Sequence, residues 1–273
     1  MSEPTEPATM QEQDTPRFER YRMTLAYDGT AFHGWQKQRT AEGVWLRTVQ
    51  GVVEEAVCRT VAQPVQVVGA SRTDAGVHAL GQVAQFDAAT RIPTERLSEA
   101  INSRLPHDVE VREVAVADHH FEAISGARSK QYRYRIFNAR RRPLQHRHYV
   151  YHCWWPLDVG QMNEAAARLV GEHDFTSFAG AGSPRVTNVR TIFACYAERH
   201  VDAHVDADEV HIVVSGSGFL YNMVRIIAGT LVDAGRGAVN ADDVAEALAA
   251  RDRRMAGPTL PPEGLWLEWI KYE

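Results

Sequence analysis

Residues 65–86 read Val65-Gln-Val-Val-Gly-Ala-Ser-Arg-Thr-Asp-Ala-Gly-Val-His-Ala-Leu-Gly-Gln-Val-Ala-Gln-Phe86. Two apolar runs, 65–68 and 82–86, flank a turn over 69–76 that begins and ends on glycine, which is the pattern of two strands joined by a loop. The connection carries Arg72, Asp74 and His78 together. Rigid flanking strands make such a loop a good place to hold functional groups. An aspartate in a turn also serves commonly to bond its own backbone, so the loop alone leaves both roles for Asp74 open.

Working outward, Tyr21, Met23, Leu25 and Tyr27 alternate in a strand that stops at Asp28-Gly29, and residues 48–61 read as a helix with Val52, Val53, Ala56 and Val57 on one face. A helix over 93–105, a strand over 109–116 and an alternating strand over 131–137 follow. The second half is built alike, with a helix over 158–170, strands over 190–196 and 210–215, helices over 221–235 and 241–250, and a last strand over 266–272. This mixture predicts an α+β protein of two sheet-based lobes that form a mixed, largely antiparallel central sheet flanked by helices, with the active cleft between the lobes. The expected divisions are an acidic disordered tail (1–17), an N-terminal lobe bearing the 69–76 loop (18–125), and a C-terminal lobe (126–273) bearing a basic arm within 138–155.

Hydrophobic residues make up 44% of the 273 and charged ones 24%, as in ordinary globular proteins. The best membrane candidate, 220–234, is interrupted by Asn222, Arg225 and Asp233, so no span is expected. Residues 1–16 hold four acids and no Lys or Arg, the reverse of a secretory leader. Three scattered cysteines suit reduced thiols in a cytosol. The net charge of −5 comes largely from that tail. By contrast, residues 123–157 contain no Asp or Glu but do contain Arg128, Lys130, Arg133, Arg135, Arg140, Arg141, Arg142 and Arg147. An uncompensated basic block is the footprint of a polyanion site.

Arg225 sits among apolar residues of the 221–235 helix. A buried guanidinium needs a carboxylate, and Asp74 on its loop is the best-placed one; a side chain at the helix edge that reaches water is the alternative. Such a pair keeps the carboxylate ionised and aimed, as a nucleophile requires. In Lys130-Gln-Tyr132-Arg-Tyr134-Arg, aromatic groups alternate with basic ones, which suits base stacking beside phosphate contacts or, equally, an ordinary strand with core tyrosines.

Seven segments occur in order: Tyr27-Asp-Gly-Thr-Ala-Phe-His-Gly-Trp-Gln-Lys-Gln, Thr48-Val-Gln-Gly, Arg72-Thr-Asp-Ala-Gly-Val-His-Ala, Lys130-Gln-Tyr-Arg-Tyr, Asp174-Phe-Thr-Ser-Phe, Gly218-Phe-Leu-Tyr-Asn-Met-Val-Arg and Gly264-Leu-Trp-Leu. As a set they closely resemble the tRNA pseudouridine synthase A family, over nearly the whole chain outside the tail. The resemblance implies the pseudouridine synthase fold and a cofactor-independent isomerase. Such an enzyme converts uridine to pseudouridine at positions 38, 39 and 40 of the tRNA anticodon stem-loop and works as a homodimer with the RNA held across both subunits. It further implies that Asp74 is the catalytic aspartate, Tyr132 the active-site tyrosine against the target base, Arg225 the partner of the aspartate, Arg72 the arginine associated with base flipping, and Leu265 an apolar wall of the pocket. Ser71 stands where the family often has glycine, a change expected to tighten the loop and spare the chemical groups. Leu-Pro-Pro-Glu over 260–263 and Trp266 also depart from the usual pattern, in the expected pocket wall.

His146, His148, His152 and Cys153 offer metal-ligating types without the paired spacing of a finger, and no metal is expected. None of the three lysines is followed by Ser or Thr, which excludes a P-loop. A non-catalytic RNA-binding or chaperone protein is the alternative reading, and a metal-dependent hydrolase a third.

Overall fold

The computed structural model describes residues 17–180, 187–201 and 208–273; of the expected tail over 1–17, residues 1–16 lie outside them. In chain order the elements are β1 (Phe18–Tyr27), α1 (Val49–Val61), β2 (Val68–Gly69), β3 (His78–Ala89), α2 (Thr94–Asn102), β4 (Val109–Ala117), β5 (Ser129–Asn138), β6 (Tyr151–Cys153), α3 (Val159–Ala167), β7 (Gly171–Asp174), β8 (Val189–Val201), β9 (Asp208–Gly216), α4 (Met223–Gly235), α5 (Ala241–Ala250) and β10 (Leu265–Lys271).

The strands form one mixed sheet in the order β4-β1-β3-β10-β5-β9-β8-β7, with β2 added on β3 and β6 on β5. The last strand is the seam. β10 runs parallel to β3, pairing Leu267 with Ala79, and antiparallel to β5, pairing Leu267 with Tyr132 and Leu265 with Tyr134. The two halves are therefore fused edge to edge into a single sheet. α2 packs on β4, α3 on β8 and α4 on β5. One sheet face, carrying Met23, Leu25, Tyr132, Tyr134 and Leu267, is buried. Burial of such side chains stabilises the fold by roughly 1.5–3 kcal/mol each.

Where the elements differ from the sequence reading, local chemistry explains it. The apolar run 65–68 contributes only Val68 and Gly69 as strand, because the backbone N–H groups of Val65 and Val67 donate to Cys58 Sγ and Glu54 Oε2 of α1 instead of to a strand. β3 starts at His78, earlier than the 82–86 run suggests. α4 starts at Met223, since Asn222 takes a left-handed φ of 59° that ends helical geometry on its N-terminal side. Thr48 and Asp158 fall just outside their helices as N-caps, accepting from Gly51 N and from Gly160 N and Gln161 N.

The strand part of the basic block is compensated in space. Across the exposed sheet face, Arg133 pairs with Glu268 and Glu198, at 2.5 and 2.9 Å, and Arg135 pairs with Glu209 at 2.9 Å. Burial works against ionising Glu209, yet His211 and Arg135 hold its carboxyl down at about 2. Arg128, Arg140, Arg142 and Arg147 of the block are exposed. The arm over 138–155 includes β6 and folds back across this face: Trp266 stacks on His78 at 4.3 Å and donates from Nε1 to Tyr149 O at 3.2 Å. Trp266 thus anchors the arm, on the face opposite Tyr132, and takes no part in shaping the expected pocket.

Candidate active site

The loop between β2 and β3 is held by its backbone. Trp35 N donates to Thr73 O at 3.0 Å, Gly76 N to Phe32 O at 3.3 Å and Val77 N to Asp74 O at 3.2 Å. Two buried side chains finish the clamp. Gln82 donates to Ser71 O at 2.6 Å and accepts from Ser71 N at 3.2 Å, and Tyr27 OH shares a hydrogen bond of 2.8 Å with Thr73 Oγ1. Gly69 lies flat against Trp35; any Cβ there would fall inside the indole. Gly76 has φ 79° and packs on Pro262, which joins the loop to the turn before β10.

On this frame the structure brings Asp74, Arg225 and Tyr132 together. Of the two sequence alternatives the structure is nearer the inward one: Arg225 is part-buried, its side chain 15% exposed, and Asp74 is 27% exposed. Nη1 of Arg225 stands 3.4 Å from Asp74 Oδ2. Its tighter bonds go elsewhere, from Nε to Leu260 O at 2.7 Å and from Nη1 to Asn222 Oδ1 at 2.9 Å. The guanidinium is therefore positioned by α4 and by the turn before β10, and offers Asp74 a long contact. Burial pushes the Asp74 carboxyl above its ordinary range, and the Arg225 charge and hydrogen bond only partly oppose it. Desolvation thus sets the direction of the shift, and the pairing expected to keep the carboxylate ionised works against it.

Tyr132 is buried, with Phe219 edge-on to its ring at 5.3 Å and its OH 2.9 Å from Ser71 Oγ. Burial, helped by the Asp74 charge and opposed by the Ser71 bond, pushes its phenol up to about 12, so near neutral pH it stays protonated. Ser71, expected to spare the chemical groups, bonds one of them directly. Tyr134, the other tyrosine of the alternating strand, is a core residue whose OH donates to Pro261 O at 2.7 Å. Arg72 is exposed on the loop and forms no polar contact among the described residues. Leu265 is buried beside Tyr134, two register pairs along from Leu267 and Tyr132.

Phe219, Asn222 and Leu260 are contributors that sequence reasoning left without a role. Asn222 could have been suspected, since Asn tolerates the left-handed conformation that caps a helix start here. Nothing in composition or period points to the Leu260 carbonyl.

The three histidines and Cys153 do not converge. His152 Nε2 bonds Ala139 O at 2.8 Å, while His148 contributes its carbonyl to His78 Nε2 at 2.9 Å. His78 is fully buried and accepts from Gly29 N through Nδ1 at 3.1 Å, and its burial pushes the imidazole below its ordinary range. Among the described residues Glu198, His200 and His211 come close enough to share a cation, but Arg133 already donates to Glu198 at 2.9 Å and to His211 Nδ1 at 3.0 Å. The guanidinium fills the cation's place.

A carboxyl group, a guanidinium and a protonated phenol are thus brought together where the 69–76 loop, α4 and β5 meet. The family model for tRNA pseudouridine synthase matches residues 23–124 and 165–273. The chain belongs to the tRNA pseudouridine synthase family. It is 43% identical over 256 residues to the tRNA pseudouridine synthase A of Bacillus subtilis, covering 93% of this chain and 99% of that protein. The synthase of Caldicellulosiruptor saccharolyticus is 42% identical over 250 residues (92% and 98%), and that of Brevibacillus brevis 44% over 253 (93% and 99%). Arg72, Asp74, Arg225 and Leu265 of this pseudouridine synthase family member lie within the two matched segments; Tyr132 and the basic arm lie between them. No helix among the described residues is long and apolar enough to cross a membrane.

Proposed function

We propose that the protein isomerises uridine to pseudouridine at positions 38, 39 and 40 of the tRNA anticodon stem-loop, with Asp74 as nucleophile, in the cytoplasm and as a homodimer. The observation that carries this reading is the partly exposed Asp74 carboxylate, facing Arg225 at 3.4 Å and with Tyr132 within reach of its charge, in a chain of this family.

The uracil must be released from C1′, turned and rejoined through C5, so the nucleotide first leaves the helix. Arg72, exposed on the same loop, is placed to hold the RNA open. The Asp74 carboxylate then attacks the sugar or the base, or stabilises positive charge developing on the sugar, and Arg225 holds it in line. Tyr132 packs on the base. Its phenol, held protonated, serves as a wall and a hydrogen-bonding group and is poorly suited to act as a base at neutral pH. Leu265 lines the apolar side. No cofactor is required by this chemistry.

Mapping pseudouridine in a tRNA transcript by carbodiimide adducts and primer extension tests the reading. Modification at 38–40, lost when those uridines are replaced by cytidine, supports it. Modification elsewhere, or none on a tRNA that binds, would overturn it.

A further inference from the structure

Beyond β6 the chain exposes Trp154 and Trp155 side by side, 56% and 50% exposed, with ring centroids 6.0 Å apart at 37°. They border a cavity of about 300 Å³ that is also lined by Tyr151, Asp233, Arg236 and Leu260. Two neighbouring half-exposed indoles at the lip of a cavity are costly to leave in water and mark a binding surface. The cavity adjoins the candidate active site, because the carbonyl of the same Leu260 accepts from Arg225 Nε. Its size, at the low end for ligand pockets, admits one planar group and not a helix.

Charge says what that group belongs to. His152, edge-on to Trp154 at 6.1 Å, bonds Ala139 O, and Asn138 Nδ2 donates to Cys153 O and Trp155 O at 3.0 and 2.7 Å. These bonds lash the start of the arm, Asn138 and Ala139, against the tryptophan segment, and exposed Arg140 and Arg142 follow directly in the chain. The one acid lining the cavity, Asp233, is already paired with Arg236 at 3.0 Å. Aromatic faces among guanidinium groups, with no free acid, suit a nucleobase and its phosphate. An apolar protein anchor would gain nothing from the cationic lip.

We propose that Trp154, Trp155 and Arg236 form a second nucleotide subsite, which takes one unpaired base of the tRNA other than the target uridine, with its phosphate on Arg140 and Arg142. This rests on tRNA being the substrate. The subsite anchors the RNA beside the reacting nucleotide, and it acts on binding, not on chemistry.

The test compares wild type with Trp154→Ala/Trp155→Ala and Trp154→Phe/Trp155→Phe, measuring Kd for tRNA, KM, kcat and Tm. The alanine pair is expected to raise Kd and KM by roughly 5- to 150-fold, the range for losing one stacked base, with kcat and Tm close to wild type. The phenylalanine pair should retain most of the affinity. Ultraviolet cross-linking should place an RNA adduct on the peptide holding Trp154 and Trp155. Unchanged Kd in the alanine pair assigns the patch to a protein contact and overturns the subsite, as does an equal loss in both pairs. The Kd arm separates the two proposals, since wild type that binds tRNA without isomerising it contradicts the function while leaving the subsite measurable. Wild type that binds no tRNA contradicts both.

Discussion

Asp74 Oδ2 and Arg225 Nη1 meet at 3.4 Å across 151 residues of sequence, while Arg225 makes its shorter bonds to Asn222 and Leu260. The carboxylate is aimed without being saturated. Its Coulomb partner moderates the cost of burial and does not cancel it.

A pH dependence follows. Asp74 acts ionised, and burial lifts its pKa above the ordinary 3.8, so kcat should fall on acidification at a pH above that value. Replacing Arg225 by Gln removes the opposing charge and should move the acid limb further up. Profiles of kcat against pH for both proteins check this; an Arg225→Gln limb lying below that of wild type would contradict it.

The same shift has a stability sign. A carboxyl whose folded pKa is raised favours the fold while protonated, and loses that contribution as pH rises from the unfolded to the folded pKa. At pH 7 the ionised Asp74 is therefore a burden. Asp74→Asn should match or exceed wild-type Tm at pH 7 and lose that advantage below about pH 4, with turnover lost. Calorimetry at the two pH values decides it, and an Asn variant markedly less stable at pH 7 would refute the sign.

Ser71 and Tyr132 share one hydrogen bond. Ser71→Gly and Tyr132→Phe should each lower kcat by roughly fivefold, matching a net bond of about 1 kcal/mol. The double variant should cost little more than either single one, because both remove the same contact. Tyr132→Ala should cost far more, since it empties the wall beside Phe219. Additive losses in the double variant would show that the bond does not position the ring.

Legibility in the sequence followed the reach of each interaction. Arg225 could be read because a guanidinium on an apolar helix demands an acid wherever the chain finds one. Tyr132 and Tyr134 could not be told apart by period, since both occupy even positions of β5. What separates them is the cover: Phe219 and Ser71 over one, the Pro261 carbonyl over the other. The acid-free run 123–157 looked uncompensated because the acids for Arg133 and Arg135 come from β8, β9 and β10, far away in sequence. The strands and helices were legible by pattern, and their ends moved where a side chain, such as Glu54 at Val67 N, satisfied the backbone in place of a ladder.

Gly69 has no room for a methyl group against Trp35. Gly69→Ala should destabilise the protein by about 1–3 kcal/mol, and lower activity through the displaced loop. Chemical denaturation measures the first effect; unchanged stability would mean that Trp35 yields to the added methyl group at no cost.

The central claim is that Asp74 performs the isomerisation. Tritium release from tRNA carrying 5-tritiated uridine reads it most directly, because forming the new carbon–carbon bond expels the hydrogen at C5. Wild type should release tritium equally with and without EDTA, and Asp74→Ala should bind the tRNA yet release none. Wild-type turnover by Asp74→Ala would contradict the account.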